Sequence, residues 1–211
     1  MEQFQIFQVE KNSEDIRRTV LLNTIKMLVE RGTIKAINQE SILKKLYDTV
    51  ADDGIYIINK DKFNEGNKEK SKIAIKIFTN KITSISKQSP VNDFLGKHQA
   101  YHKILIVKGI NTKSGQYLTT TFPETELFLE HELMINLIDS TLVPRYEVLD
   151  PNSSDYKTFC ELYQCKKRNI PKLPILDPMA KYYGLKRGDI VRVIRPSDTS
   201  GYSSYYRIVV S

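Results

Sequence analysis

The sequence predicts an α/β protein of the α+β kind, with a larger N-terminal domain and a small C-terminal module. Apolar residues recur at helical spacing in some segments and alternate at strand spacing in others. In the C-terminal third, prolines and glycines divide the chain into short elements. With 211 residues, the chain is long enough to build a core in each part. We therefore expect two domains, at residues 1–140 and 141–211.

The N-terminal domain opens with two predicted helices. The first has Ser13 as its expected cap, two acids in its first turn and Arg31-Gly32 at its end. Its apolar side recurs every three or four residues, at Ile16, Val20, Leu21, Thr24, Met27 and Leu28. The second begins near Asn38, and its expected buried residues are Ile42, Leu43, Leu46 and Val50.

Strands are predicted after these helices. Residues 55–58 form the first, behind a turn that ends at Gly54, and a solvated loop is expected over 60–72. The next strand carries Ile73, Ile75 and Ile77 in alternation, which predicts that it is half-buried. A short helix over 91–101 precedes an apolar strand at 104–107, expected to be covered on both faces, and a strand at 127–129. Together they predict helices flanking a mixed sheet.

Prolines, glycines and helix caps mark the element boundaries of the C-terminal module more clearly. A strand at 146–149 runs into Asp150-Pro151, which predicts a cap with proline at the first helical position. The expected apolar side of that helix is Tyr156, Phe159, Cys160 and Tyr163. An extended link between Pro171 and Pro174 leads to Asp177-Pro178, a second cap, and to a short helix over 179–183 that Gly184 ends. Strands at 190–195 and 205–210 then form a closing hairpin.

Residues that could catalyse a reaction or hold a metal are few and scattered. His98 and His102 would share one face of a helix, but no third zinc ligand is evident. His131-Glu132 begins a zinc-protease pattern, yet the position of its second histidine holds Ile135. Cys160 and Cys165 have no second pair, and Cys160 is expected in the core. The sequence therefore predicts no active site and no cofactor.

Positive charge is the other feature that bears on function. Of the formal net charge of +7, residues 139–211 carry +4 and the remaining residues carry +3. This excess would attract polyanions weakly and in a salt-dependent manner. Lys166-Lys167-Arg168 and Lys186-Arg187 are either solvated turns or surfaces for acidic protein or phosphate. The longest aliphatic run, at 104–107, is far shorter than the ~20 residues that span a bilayer, so no membrane partner is expected.

One long segment of the module resembles a known family. Residues 177–201, which include Asp177-Pro178 and Lys186-Arg187-Gly188-Asp189, are similar to the signature of the fifth common subunit of eukaryotic nuclear RNA polymerases. Further matches are Leu142-Val143-Pro144, Pro171-Lys172-Leu173-Pro174 and Tyr206-Arg207-Ile208. The small archaeal member of this family consists essentially of the module. The additional N-terminal domain, with its fainter match at Arg18-Thr19-Val20, points to a eukaryotic-type subunit or a viral copy.

The resemblance implies a fold and a role. Residues 1–140 are expected to form a three-layer domain that resembles restriction endonucleases without nuclease activity, the jaw domain, and residues 141–211 a two-layer assembly module. The implied function is that of a non-catalytic subunit of a DNA-directed RNA polymerase. Its expected partners are the largest subunit, other polymerase subunits and, weakly, downstream duplex DNA. The expected location is the nucleus for a cellular protein, or the virion, viral factory or host cytoplasm for a viral one.

Two sets of residues are expected at these interfaces. The subunit interface is assigned to Tyr182, Tyr183, Lys186, Arg187, Arg192 and Arg195. The vicinity of downstream DNA is assigned to Lys108, Thr112, Lys113 and Ser114. Asp177, Pro178, Gly184 and Gly188 are expected to build the fold. The chain departs from the family pattern at Asp139-Ser140-Thr141 and at Tyr146, which indicates a divergent lineage.

The sequence leaves two other functions open. A free-standing DNA-binding transcription adaptor that uses the same module would bind duplex DNA by itself, with a clear salt dependence. An endonuclease remnant would cleave DNA with a metal ion, although no convincing Pro-Asp…Glu-x-Lys site is present on the predicted strands.

Overall fold

A computed structural model gives the fold of the chain and describes residues 12–48, 54–61, 72–86, 89–122, 124–140, 143–164 and 166–210. The chain divides into two compact units, Met1–Ile135 and Asn136–Ser211. Each unit combines helices with one four-stranded sheet in the described residues. The predicted α+β class is confirmed. Within the same residues, no helix is both long enough and apolar enough to cross a membrane.

The N-terminal unit is built around a mixed sheet. Its elements are α1 (Ser13–Glu30), α2 (Gln39–Asp48), β1 (Ile55–Asn59), β2 (Lys72–Phe78), α3 (Pro90–Lys97), β3 (His102–Val107), α4 (Thr112–Thr121) and β4 (Thr125–Leu129). Short 3-10 turns lie at Ala36–Asn38 and Glu130–Leu133. The strands lie in chain order, with β1 antiparallel to β2 and with β2, β3 and β4 parallel. Parallel neighbours begin at one edge of the sheet and end at the other.

Helices lie on both faces of this sheet. Ala74 and Leu105 belong to one face and pack with buried residues of α3 and α4. Ile104 is buried on the opposite face. The helix α1 lies on that side, because Arg31, the residue directly after it, binds Glu126, which is paired with Ile104 in the sheet. The unit therefore has three layers, as the resemblance implied.

Burial in the two central strands differs from the alternation in the sequence. The strand β3 is buried along nearly its whole length, which confirms the prediction for residues 104–107. In β2, however, Ile73, Ala74 and Ile75 are all buried and Ile77 is only partly buried, so the half-buried prediction is wrong. The reason is tertiary, because β2 has a strand on each side and helices over both faces. Even Lys76 lies over the rings of Phe78 and Phe94, at 5.0 and 5.5 Å.

Helix boundaries in this unit also depart from expectation. Asn12, not Ser13, occupies the cap position of α1. The helix α3 ends at Lys97, so His98 and His102 do not share a helical face. The sequence did not predict α4, because threonine, serine and glycine are weak helix formers. Val50 and most of the loop expected over 60–72 lie outside the described residues.

The C-terminal unit has a second sheet with a central hairpin. Its elements are β5 (Arg145–Leu149), α5 (Ser154–Tyr163), β6 (Lys172–Pro174), α6 (Pro178–Tyr182), β7 (Ile190–Ser197) and β8 (Gly201–Val210). Short 3-10 turns lie at Leu137–Asp139 and Lys167–Asn169. The strand order is β5-β7-β8-β6. The strands β5 and β8 are antiparallel to β7, and β6 runs parallel to β8.

Each face of this sheet is covered by a different helix. Val191 and Val193 pack with Ala180 of α6. Ile190, whose side chain points to the other face because neighbours in a strand alternate, packs with Phe159 of α5. The unit thus has a helix on each face of the sheet, where two layers were expected, because alternate residues of β7 point to opposite faces and both sets are apolar.

Helix caps in this unit follow local hydrogen bonding. Asp177 caps α6 as predicted, accepting a hydrogen bond from the Met179 amide at 2.9 Å. Asp150-Pro151 does not cap α5. Asp150 instead closes a turn by accepting from the Asn152 amide, and Ser153 caps the helix by accepting from the Tyr156 amide.

The expected apolar side of α5 is mostly outside the core. Phe159 is buried, but Cys160 is exposed, which corrects the prediction of a core thiol. Tyr156 is half-buried and Tyr163 is exposed. The helix covers the sheet with a narrow stripe centred on Phe159, so the residue next to it turns to solvent. Cys165 lies outside the described residues.

A part-buried ion-pair network ties the C-terminal end of α1 to the beginning of β3 and β4. Both guanidinium nitrogens of Arg31 donate to the Glu126 carboxylate, each at 2.8 Å. The His102 Nε2 lies 2.9 Å from Glu126 Oε1. Burial acts to raise the pKa of Glu126, but the hydrogen bonds from His102 and Arg31 outweigh it and lower that pKa to about 2.

Glu126→Gln is expected to lower the free energy of unfolding at neutral pH by about 2 kcal/mol, because the part-buried Arg31 loses its counter-charge and its charge-assisted hydrogen bonds. The pKa of Glu126 is depressed in the folded state, so its stabilisation is present above the ordinary value of 4.5 and is lost as the pH falls towards about 2. Urea titrations over a series of acidic pH values measure this. Glu124→Gln, at an exposed carboxylate, is the control, and an equal loss in both variants would contradict the network.

Candidate protein and nucleic-acid interfaces

The residues expected at the subunit interface do not form one surface. Tyr182 is only 3% exposed and belongs to the core of the C-terminal unit. Its hydroxyl donates to Asn136 Oδ1 at 3.1 Å. Tyr183 is partly buried, and its ring lies 6.3 Å from that of Tyr146 in a stacked arrangement. These two aromatic rings therefore pack inside the module and do not form an exposed interface.

The two arginines of β7 point to opposite faces of the sheet. Arg192 donates to the carboxylate of Glu147 on β5, and this bond raises the pKa of the guanidinium. Arg195 lies over the ring of Tyr205, 5.2 Å from its centroid, in a cation–π contact. The two residues are three apart in an extended strand, which places their side chains on different faces.

The exposed pair Lys186 and Arg187 lies at the other end of β7 from Arg195. These residues form a tight turn in which the Lys186 amide donates to Asp189 Oδ2 at 2.7 Å. The extended chain between Arg187 and Arg195 spans roughly 20–25 Å. The predicted cations are therefore distributed over two ends and two faces of the module.

The structure shows a projecting arm that the sequence did not indicate. The strand β5 pairs with β7 only as far as Ile194, and β6 pairs with β8 only from Ile208 onward. Residues 195–203 extend beyond both as a two-stranded ribbon, which we call the arm. Tyr202 on this arm is 75% exposed, and Tyr205, two residues after the arm on β8, is half exposed. Exposed aromatic side chains on a ribbon of marginal stability are typical of a surface that another chain covers.

A basic surface in the N-terminal unit gathers lysines that are distant in sequence. An isolated parallel bridge between Ile82 and Ile110 places the segment 81–83 beside 109–111. It brings together three exposed lysines, Lys81, Lys108 and Lys113, of which Lys81 was missed by sequence reasoning. Nothing local to Lys81 signals this position, since the bridge joins segments from different parts of the chain.

The other residues expected near DNA divide between surface and interior. Thr112 is exposed at the first position of α4. Ser114 is buried, and its hydroxyl donates to the Thr83 carbonyl at 3.3 Å, so it helps to fix α4 to the segment 81–83.

Two of the three histidines have structural partners. His98 Nδ1 lies 3.0 Å from the Phe94 carbonyl, and His102 belongs to the network with Glu126. In the described part of the chain, no group of three or more histidine, cysteine or acidic residues could hold a metal ion.

Comparison with known proteins identifies the family. Residues 135–209 match the model of the C-terminal domain of RNA polymerase Rpb5. The DNA-directed RNA polymerase subunit 5 of Acanthamoeba polyphaga mimivirus is 31% identical over 213 residues, which cover 97% of each chain. The chain belongs to the Rpb5 family. The predicted resemblance is thereby confirmed.

Cellular members of the Rpb5 family match over a shorter stretch. The RPABC1 subunit of RNA polymerases I, II and III from Caenorhabditis elegans is 35% identical over 51% of this chain and 51% of its own length. The Dictyostelium discoideum subunit is 31% identical over 56% of this chain and 61% of its own length. This Rpb5-family chain is a non-catalytic subunit of a DNA-directed RNA polymerase, and its partners are other subunits of that enzyme.

Tyr182→Phe is expected to lower the free energy of unfolding by about 1 kcal/mol, because it removes the hydrogen bond to Asn136 from the core. Arg187→Ala, at an exposed turn, is expected to change it by less than about 0.5 kcal/mol. Chemical denaturation of the isolated chain measures both. A larger loss for Arg187→Ala than for Tyr182→Phe would contradict this division between core and surface.

Proposed function

We propose that the C-terminal part of the chain, residues 141–211, is an assembly module that docks on the largest polymerase subunit, and that residues 1–140 form a jaw near downstream DNA. The family match over 135–209 and the whole-length match to a polymerase subunit support this division. The arm is the surface best suited to docking, because Tyr202 on it and Tyr205 beside it are exposed and its two strands have no third strand next to them.

Docking through the arm would combine apolar burial with charge. Covering Tyr202 and Tyr205 would remove large aromatic surfaces from water, which is a common source of affinity at interfaces. Arg195, already held over the Tyr205 ring, would present its guanidinium to a carboxylate of the partner. Lys186 and Arg187 would form a separate interaction at the base of the hairpin.

The variant Tyr202→Ser/Tyr205→Ser is expected to reduce copurification with the largest subunit by at least about tenfold, since two exposed aromatic anchors are removed. The matched variant Lys186→Glu/Arg187→Glu tests the other end of the hairpin and is expected to have a smaller effect. Tagged subunits expressed in the native source, with quantitative recovery of the largest subunit, provide the measurement. Wild-type recovery with the arm variant would refute docking through the arm.

The basic surface of the N-terminal unit supports the proposed binding of duplex DNA. Lys81, Lys108 and Lys113 are exposed, and Thr112 offers a hydroxyl at the beginning of α4. Lysines bind phosphates without reading base sequence, which suits a subunit that meets every transcribed sequence. A few lysine–phosphate pairs give only weak affinity at physiological salt, so binding would depend on assembly into the polymerase.

Lys81→Glu/Lys108→Glu/Lys113→Glu is expected to weaken DNA cross-linking of the assembled polymerase. It should also reduce the slope of log affinity for DNA against log salt concentration, by about one unit for each lysine–phosphate pair that the substitutions remove. The control is Lys166→Glu/Lys167→Glu/Arg168→Glu, which changes the net charge equally in the C-terminal unit. If cross-links map to the C-terminal unit alone, the proposed orientation is wrong.

The place of action follows from the genome that encodes the chain. A cellular protein of this family would act in the nucleus, and a viral one in the viral factory, the host cytoplasm or the virion. The mimivirus subunit aligns over both units, whereas the nematode and Dictyostelium subunits align over little more than half of the chain, which favours the viral lineage. Immunofluorescence in the cells that contain the native protein, with staining confined to the nucleus as the contrary result, tests this proposal.

A further inference from the structure

The C-terminal end of α5 combines apolar and basic side chains on the surface. Leu162 is 74% exposed and Tyr163 is 52% exposed. Three exposed cations, Lys166, Lys167 and Arg168, follow within five residues. We call these five residues the α5-end patch. The segment 162–168 contains three cations and no acid.

The patch is attached to the core at both ends. Phe159, one turn before it, and Ile170, directly after its 3-10 turn, are buried in the same hydrophobic cluster. The Tyr163 ring lies 5.2 Å from Phe159 and 5.1 Å from Tyr206, so its orientation is set by other aromatic rings. The patch is therefore a preorganised surface rather than a loose tail, which lowers the entropy lost on binding.

The backbone between its two halves adopts an uncommon conformation. Gln164 ends α5 with φ of 43°, in the left-handed region that residues other than glycine rarely occupy. Its amide donates to the Cys160 carbonyl at 3.0 Å. The chain then turns into Lys167–Asn169, where the Asn169 amide donates to the Lys166 carbonyl at 2.8 Å. These hydrogen bonds fix the backbone of Gln164 and of Lys167–Asn169.

The three cations and Leu162 are not engaged by other side chains of the described chain in the way that Tyr163 is. Among the described residues, none of the three cations forms an ion pair with another side chain. Leu162 is a large, exposed apolar side chain. Covering such a side chain stabilises a complex by roughly 25 cal/mol for each Å² of apolar surface removed from water. Neither feature contributes to the core or to the arm.

We propose that the α5-end patch binds an acidic segment of a partner protein that carries one aliphatic or aromatic anchor residue. The acids would pair with Lys166, Lys167 and Arg168, and the anchor would cover Leu162 beside the fixed ring of Tyr163. A nucleic acid would use the cations but leave Leu162 uncovered, so the combination favours a polypeptide.

The patch and the arm are independent surfaces of the same module. The patch belongs to α5, which packs on Ile190 and Ile208 at the base of the hairpin, whereas the arm begins beyond Ile194. A chain docked through the arm would leave the α5-end patch free to hold a second protein. This proposal therefore does not depend on which polymerase subunit the arm binds.

The test is selection of random twelve-residue peptides displayed on phage against the full chain. Enrichment of peptides with several acids around one aromatic or aliphatic residue is expected. The affinity of a selected synthetic peptide, measured by fluorescence anisotropy, should fall at least about tenfold with Lys166→Glu/Lys167→Glu/Arg168→Glu and about fivefold with Leu162→Ser. The control Lys44→Glu/Lys45→Glu should stay within about twofold of the wild type, because it alters an exposed basic pair of α2, in the other unit.

Several results would overturn the proposal. They are the absence of enrichment, enriched peptides without acids, and equal losses in the triple variant and the control. A labelled duplex DNA is titrated in parallel. DNA binding that the triple variant abolishes and Leu162→Ser leaves unchanged would assign the patch to nucleic acid instead. Circular dichroism spectra that match the wild type confirm that each variant is folded.

Discussion

The ladder between β7 and β8 is the constraint on which the C-terminal unit depends. Eight residue pairs, from Ile190↔Ile208 to Ser197↔Gly201, hold the two strands in one register. Because side chains alternate along each strand, this register assigns Val191 and Val193 to α6 and Ile190 to α5. A shift of one residue would move every side chain of the shifted strand to the opposite face. The same ladder carries the chain beyond β5 and β6 and so creates the arm.

Strand direction has a comparable effect in the N-terminal unit. Since β2, β3 and β4 are parallel, residues at their beginnings meet at one edge of the sheet. There, His102 and Glu126 join Arg31 in a part-buried network that secures α1. At the ends of β2 and β3 lie the exposed Lys81 and Lys108. One edge of the sheet is thus occupied by internal ion pairs, and the other carries exposed positive charge.

Predictions from sequence succeeded where the cause was local. The cap at Asp177 and the glycine at Gly184, with φ of 61°, depend on neighbours in the chain and were predicted. Asp150-Pro151 looked equally suitable, but Ser153 competes for the same helix and forms the cap. Lys103 is a stronger exception. It is buried, its ammonium donates to the Gln99 and Tyr101 carbonyls at 3.3 Å each, and burial lowers its pKa. No periodicity in the sequence indicates such partners.

The sequence by itself determined the class of the fold, the main strands of both units and membership of the polymerase family, because these depend on periodicity, turn chemistry and a long ungapped motif. Only the tertiary structure decided which candidate residues reach the surface. It buried Tyr182 and Ser114, separated Arg192 from Arg195 by a sheet, and brought Lys81 beside Lys108. The reason is physical, since exposure and proximity are set by strand register and helix packing between segments that lie far apart in the chain.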